Sequence, residues 1–211
     1  MHVSIRTLLA AALLAHGASC APFDWSSWGS WGQHTPSTGS TPSKTPPASD
    51  PAPGATSSSP TSNSSLSSDA QQALDAHNAA RSDVGTAALV WDDVLASNAQ
   101  EYGEMLVSQY GSSGTLEHSQ ISDQGENLYW QGGSGDDIPM TNAANMWIGE
   151  KSEYNGEPIS ETNYMKFGHY TQVVWKSTSK VGIAAVSDGA GGFYVVGRYQ
   201  EPGNMIGETA Y

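Results

Sequence analysis

Cysteine and basic residues are both scarce in this chain of 211 residues. The single cysteine excludes a scaffold held by several intrachain disulfides. Only 8 Lys and Arg side chains stand against 21 Asp and Glu, which gives a formal net charge of −13. Nucleic-acid binding depends on clustered basic side chains, and an anionic membrane surface repels an acidic protein. We therefore expect neither nucleic acid nor an anionic membrane as a partner.

Long hydrophobic runs are also missing. The most apolar stretch, residues 8–15, is too short to span a hydrocarbon layer about 30 Å thick. It follows Arg6 and precedes small residues that end at Cys20, which is the pattern of a secretory signal peptide. We predict that residues 1–20 are this signal and that it is cleaved after Cys20. The secreted, extracellular chain would then have no cysteine and no transmembrane anchor. Lipidation of Cys20 is the alternative.

Residues 21–69 are a segment of low complexity. Of these 49 residues, 33 are Ser, Thr, Pro or Gly, and such a composition buries too little apolar surface to offset the entropy of ordering. We predict a disordered, O-glycosylated linker with an N-glycosylation sequon at Asn63. Its three tryptophans, Trp25, Trp28 and Trp31, are open to two interpretations, an adhesive patch for glycan or lipid and an unstructured tail.

Residues 70–211 carry the patterns of one folded α+β domain with a net charge of −12. Asp69, Asp92 and Thr141 are expected to cap three helices, ending near residues 82, 110 and 154. Residues 173–175, 181–186 and 193–196 are expected to form strands, with residues 188–192 as the hairpin turn between the last two. Three helices and at least three strands predict a sandwich of helices and sheet.

Two histidines and two glutamates are the candidates for chemistry. His118, Glu126, Glu150 and His169 lie on four separate segments, so only the fold can bring them together. Neutral imidazoles bind divalent metals, and carboxylates hydrogen-bonded to them fix the tautomer. None of the usual closely spaced metal motifs is present. The alternative is surface carboxylates and two partly buried, hydrogen-bonded histidines.

Several segments resemble the CAP superfamily, which contains cysteine-rich secretory proteins, venom antigens and plant pathogenesis-related proteins. The segment GHYTQVVWKST of residues 168–178 is similar to the first family signature, and YQEPGN of residues 199–204 is similar to most of the second. Further matches are HNAAR at 77–81, LVWD at 89–92, LEHS at 116–119, GENL at 125–128 and WIGE at 147–150. The resemblance runs in order through residues 70–211.

The resemblance implies a three-layer α-β-α sandwich with a tetrad in a surface cleft. His118 and His169 would be the metal ligands, with zinc the usual candidate, while Glu126 and Glu150 would hydrogen-bond to them. Glu153 is the rival of Glu150 on the same helix. The chain departs from the family at Gly197, where a cysteine is usual, and at Glu201, where a small or basic residue is usual.

Secreted members of the superfamily are associated with binding of sterols and fatty acids. The resemblance therefore implies that a small lipid is the partner, that the protein is a monomer, and that it acts in defence or host interaction. Residues 129–140 would form a flexible lid over an apolar groove; an ordinary solvent loop is the alternative. The side chains expected to contact lipid are Tyr129, Trp130, Ile138, Pro139 and Met140.

Two other functions stay open. The resemblance implies no common catalytic activity, but a metal in the cleft could activate water for ester or peptide hydrolysis, with Glu126 and Glu150 as the catalytic candidates. Residues 201–211 resemble the C-terminal defence peptide of plant relatives, although Ala210 replaces the expected proline. That segment is alternatively a structural turn at the end of the domain.

Overall fold

The computed structural model describes residues 66–133 and 137–211. The predicted signal peptide, most of the linker, the three tryptophans and the Asn63 sequon lie outside these residues. The helices are α1 (Ser68–Val84), α2 (Asp93–Tyr110), α3 (Pro139–Gly149) and α4 (Gly168–Val173), and the strands are β1 (Val90–Trp91), β2 (Gly125–Gln131), β3 (Lys180–Ser187) and β4 (Phe193–Gln200). Short 3-10 helices occupy Gly111–Ser113, Glu150–Glu153 and Tyr164–Lys166.

The four strands form one mixed sheet in the order β1-β3-β4-β2. Strands β3 and β4 form the predicted antiparallel hairpin, and β1 adds to β3 in parallel. Strand β2 pairs antiparallel with β4 and forms one edge of the sheet. Its register places Glu126 opposite Arg198, which later defines one half of the candidate site.

Alternation along the strands produces two separate cores. Leu128, Tyr194 and Val196 point to one face, where they pack with Ala99 and Leu106 of α2. The residues between them point to the opposite face and join a larger core with α1, α3 and α4; this core includes Tyr129, Val195, Tyr199, Trp147, Phe167 and Tyr170. Since α2 covers one face and the other helices cover the second, the predicted three-layer α-β-α sandwich is confirmed.

Several local expectations were wrong. Residues 173–175 do not form a strand, because Val173 ends α4, whereas β2 is a full strand that the sequence patterns had not indicated. Helix α3 ends at Gly149 and begins at Pro139, so Thr141 lies inside it and does not cap it. Asp92 does cap α2, since its Oδ1 accepts hydrogen bonds from the amides of Val94 and Leu95.

Asp69 caps a helix other than the expected one. The cap of α1 is Ser67, whose Oγ accepts from the amide of Ala70 at 3.1 Å. Asp69 reaches across to the start of α3, where its two carboxylate oxygens accept from the amides of Met140 and Thr141, each at 2.9 Å. Ile138 offers no side-chain cap, so the first turn of α3 depends on this distant carboxylate.

The last residues of the chain are hydrogen-bonded into the domain. The amide of Gly207 donates to the carbonyl of Ile159, and the amide of Ile159 donates to the carbonyl of Glu208, both at 2.8 Å. Ala210 is fully buried and its amide donates to the hydroxyl of Tyr154. Any release of this segment as a peptide would have to break these contacts.

Arg81 is a fully buried cation that forms no ion pair with a carboxylate within residues 66–133 and 137–211. Its guanidinium donates instead to four main-chain carbonyls, those of Ala87, Val173, Trp175 and Thr178, at 2.5 to 2.9 Å. Burial lowers the pKa of Arg81 to about 10, so the side chain stays charged at neutral pH. It joins α1 to the segment before β1 and to the turn that follows α4.

Within the described residues, no helix is both long and apolar enough to cross a membrane.

Replacement of Arg81 by lysine should destabilise the domain by about 3 kcal/mol, because a lysine ammonium cannot reach four carbonyls and leaves some of them buried without a donor. The measurement is the free energy of unfolding from urea titration. The control is Lys151→Ala, which breaks an exposed ion pair with Asp83 and should change stability by less than about 1 kcal/mol. An R81K protein as stable as the control would contradict the role assigned to Arg81.

Candidate functional site

The first half of the candidate site joins His118 to the edge strand β2. Nδ1 of His118 donates to Oε1 of Glu126 at 2.6 Å, and the amide of Ser119 donates to the same oxygen at 3.0 Å. Nη2 of Arg198 lies 2.9 Å from Oε2 of Glu126. Both oxygens of the carboxylate are therefore engaged, one by the histidine segment and one by the neighbouring strand.

Arg198 supplies the positive charge that compensates for the burial of the Glu126 carboxylate. It is fully buried, donates through Nη1 to Oγ of Ser119 at 2.8 Å, and lies 5.0 Å from the centre of the Tyr102 ring. Burial by itself raises the pKa of Glu126. The hydrogen bond from His118 and the charge of Arg198 outweigh that effect, so the pKa of Glu126 lies below its usual range. Glu126 is consequently ionised at neutral pH.

The second half joins His169 to the 3-10 helix that follows α3. Nδ1 of His169 donates to Oε1 of Glu150 at 2.7 Å. The amides of His169 and Tyr170 donate to Oε2 of Glu150 at 3.0 and 3.2 Å. Glu150 thus holds both the imidazole and the first turn of α4, while Glu153 is exposed. Glu150 is the first residue of this 3-10 helix, directly after the end of α3 at Gly149.

Asn127 connects the two halves. It follows Glu126 along β2 and points to the opposite face of the sheet, where its Nδ2 donates to the carbonyl of His169 at 3.1 Å. The same amide group donates to the hydroxyl of Tyr199 at 3.2 Å. Both histidines are therefore anchored to consecutive residues at the start of one strand.

A buried histidine continues this chain of hydrogen bonds. Nδ1 of His77 lies 2.8 Å from the carbonyl of Ala73, and Nε2 lies 2.9 Å from the hydroxyl of Tyr199. A carbonyl can only accept, so Nδ1 carries the proton and Nε2 accepts from Tyr199. Burial lowers the pKa of His77 to about 4, which keeps this imidazole neutral.

The donor atoms suit a divalent metal through the two histidines. Because each Nδ1 donates to a glutamate, each Nε2 carries the lone pair, and this carboxylate-to-imidazole arrangement is the one that metal-binding histidines use. The described residues contain no group of three or more His, Cys, Asp or Glu side chains placed to hold an ion. A catalytic zinc usually has three protein ligands. The two imidazoles would supply two ligands, one fewer than that number.

The two ends of the expected lipid lid lie in regular structure. Tyr129 and Trp130 belong to β2 and point to opposite faces of the sheet, because they join different cores. Pro139 is buried as the first residue of α3, and Met140 follows it within the helix. Ile138 is half-buried immediately before α3. The connection between β2 and α3 is therefore shorter than the predicted segment of residues 129–140, and one groove cannot be lined by both aromatic rings.

Arg198, Tyr102 and the bridging role of Asn127 were not found from the sequence. Glu126 can be identified as the partner of Arg198 only when the β2–β4 register is known. The available signal was its rarity, as one of 8 basic residues in an acidic chain and the residue just before the YQEPGN segment.

Comparison with known proteins gives consistent matches. The Cysteine-rich secretory protein family (CAP) matches residues 74–199. Pathogenesis-related protein 1C of Nicotiana tabacum is 43% identical over 141 residues, which cover 67% of this chain and 80% of that protein. Pathogenesis-related protein PR-1 of Medicago truncatula is 43% identical over 142 residues, which cover 66% and 78%. The resemblance seen in the sequence is confirmed.

Solved structures agree on the fold. The crystal structure of NaASP2 with Zn2+ has a TM-score of 0.59 and 25% identity to this chain, covering 71% of it and 88% of NaASP2.

Acid should destabilise the domain through His77. Between pH 6.5 and 4 the unfolded histidine takes up a proton and the buried one does not, so stability falls as the pH falls through this window. A pKa difference of about 2.5 corresponds to a loss of about 3 kcal/mol when complete. Free energies of unfolding at pH 7.5 and 4.5 should differ less in His77→Gln than in the wild type. Equal differences in the two proteins would show that His77 does not contribute to the pH dependence of the free energy of unfolding.

Proposed function

Because this chain belongs to the Cysteine-rich secretory protein family, we propose that it acts outside the cell as a defence-type protein of the pathogenesis-related kind, binding a divalent metal and a small lipid. The proposed metal is zinc, and the observation that carries its site is the matching pair of hydrogen bonds from histidine Nδ1 to glutamate. Two pathogenesis-related relatives at 43% identity support the defence-type role.

The metal would be held by Nε2 of His118 and Nε2 of His169. Glu126 and Glu150 would hold the rings in the required orientation and raise the basicity of the imidazoles. The bound ion would supply positive charge and Lewis acidity in the cleft.

The two glutamates are better suited to positioning than to proton transfer. Both oxygens of Glu150 accept hydrogen bonds, whereas in Glu126 Oε1 accepts one and Oε2 is ion-paired with Arg198. A general base works best with a pKa near the operating pH, and the pKa of Glu126 is lowered instead. A metal-dependent hydrolase therefore has weaker support than a binding protein.

Zinc binding can be measured by titration calorimetry on the full chain. The double variant H118A/H169A should lose binding, and E126Q should weaken it by about 10- to 100-fold, because the carboxylate that orients His118 is replaced by a neutral amide.

His34→Ala is the control, since it removes a histidine outside the described residues and should leave zinc affinity unchanged. Circular dichroism would verify that each variant is folded. Unchanged zinc affinity in a folded H118A/H169A protein would refute the proposed site.

Lipid binding is proposed at the turn between β2 and α3. The ring of Trp130 packs against the backbones of Gly114 and Gly132, and lies 6.5 Å from the Tyr194 ring. Its Nε1 is buried and has no acceptor within the described residues. A buried indole N–H normally has an acceptor. A sterol hydroxyl or a fatty-acid carboxylate would supply one.

Half-buried apolar side chains at the other end of this turn support the same proposal. Ile138 and Met140 are incompletely covered, and Met140 packs at the margin of the larger core. Pro139 is buried and would shape the site from below, whereas Tyr129 points to the sheet face opposite Trp130 and would not contact the same ligand.

Trp130→Phe should weaken binding of a fluorescent sterol or a labelled fatty acid by about fivefold, because it keeps the aromatic contact and loses one hydrogen bond of about 1 kcal/mol. Trp91→Phe is the matched control, since it removes an indole N–H that donates to Asp93. If the wild type takes up neither ligand saturably, lipid binding is wrong. If W130F binds as well as W91F, the site is elsewhere.

A further inference from the structure

A groove lies between helix α2 and the segment of residues 121–124. Its volume is about 420 Å³, within the range of about 300–1,000 Å³ that is usual for ligand sites. Its helical wall consists of Asn98, Glu101, Tyr102 and Met105, and we name the space the α2 groove. The opposite wall is Ile121, Asp123 and Gln124, with buried Arg198 between the walls. None of the four His and Glu residues of the metal site lines it.

The charge of the α2 groove is negative. Glu101 and Asp123 contribute two exposed carboxylates, one on each wall. The positive charge among the lining residues is that of Arg198, which is already paired with Glu126. The domain around the groove carries a net charge of −12, which adds a longer-range attraction for cations.

Apolar contacts accompany these charges. Met105 is 37% exposed and Ile121 is 38% exposed, so large apolar side chains face the solvent from both walls. An alkyl stem that ends in a cationic group would cover them while its head reaches the carboxylates, as lysine and arginine side chains do.

Two buried polar atoms beside the groove have neither a hydrogen-bond partner nor an ion-pair partner within the described residues. They are Oε1 of Gln124, which can only accept, and Nε of Arg198, which can only donate. Buried polar atoms normally have partners. The missing partners are a donor and an acceptor, and a peptide offers both, through a basic side chain and a main-chain carbonyl.

We propose that the α2 groove binds a basic segment of a partner peptide, with a lysine or arginine side chain between Glu101 and Asp123. A free polyamine would satisfy the carboxylates and Gln124, but it has no acceptor for Arg198. This site is independent of metal and lipid binding and does not rest on either.

The test uses the full chain and a short blocked peptide with a central Lys-Arg pair, at low ionic strength. Amide NMR shifts should map to Tyr102, Ile121 and Gln124. The double variant E101Q/D123N should bind about tenfold more weakly, since it loses two partly exposed charge pairs. E104Q/E161Q is the control, because it changes the net charge equally at exposed carboxylates outside the groove.

A second variant, Ile121→Ser, tests the apolar contact and should weaken binding several-fold without altering charge. Equal binding of a peptide with norleucine in place of both basic residues would overturn the proposal. So would equal affinities of E101Q/D123N and its control, or shifts that map elsewhere. Spermidine binding as tightly as the peptide would also overturn it, because the occupant would then be a free amine.

Discussion

The buried guanidinium of Arg81 is the interaction on which the helical side of the sandwich depends. Relatives in this family commonly use disulfides, whereas here four carbonyls from three segments converge on one cation. Two of those carbonyls belong to the end of α4 and the turn after it, and His169 lies in the first turn of the same helix. Arg81 therefore fixes the end of the helix whose first turn carries a candidate metal ligand.

The two histidines are held by chemically different means. Glu126 is balanced by the full charge of Arg198 inside the sheet, while Glu150 is balanced by main-chain amides at the start of α4. Asn127 and Tyr199 couple the two arrangements through the larger core, and His77 completes that coupling as a neutral acceptor. One histidine is thus supported by an ion pair and the other by main-chain dipoles.

Local structure was predicted correctly where its sequence determinants lie within a few residues of one another. The Asp92 cap and the hairpin of β3 and β4 are examples, because their determinants are adjacent in the chain. Asp69 was assigned to the wrong helix because its partners lie 71 and 72 residues away. The valines at 173 and 174 favoured a strand by composition, but the core contacts of α4 override that preference. The four site residues came from the family resemblance, since their spacing carries no periodicity, and Arg198 required the strand register.

Asp69 lies within the stretch that composition assigns to the linker, yet it holds the first turn of α3. The domain therefore extends past the point where the composition changes, and includes Ser67 and Asp69. A protease that cut the chain just before residue 70 would remove the Ser67 cap and the Asp69 carboxylate together. One cut would then weaken the first turns of both α1 and α3, so the position of the cut would decide whether the domain keeps its shape.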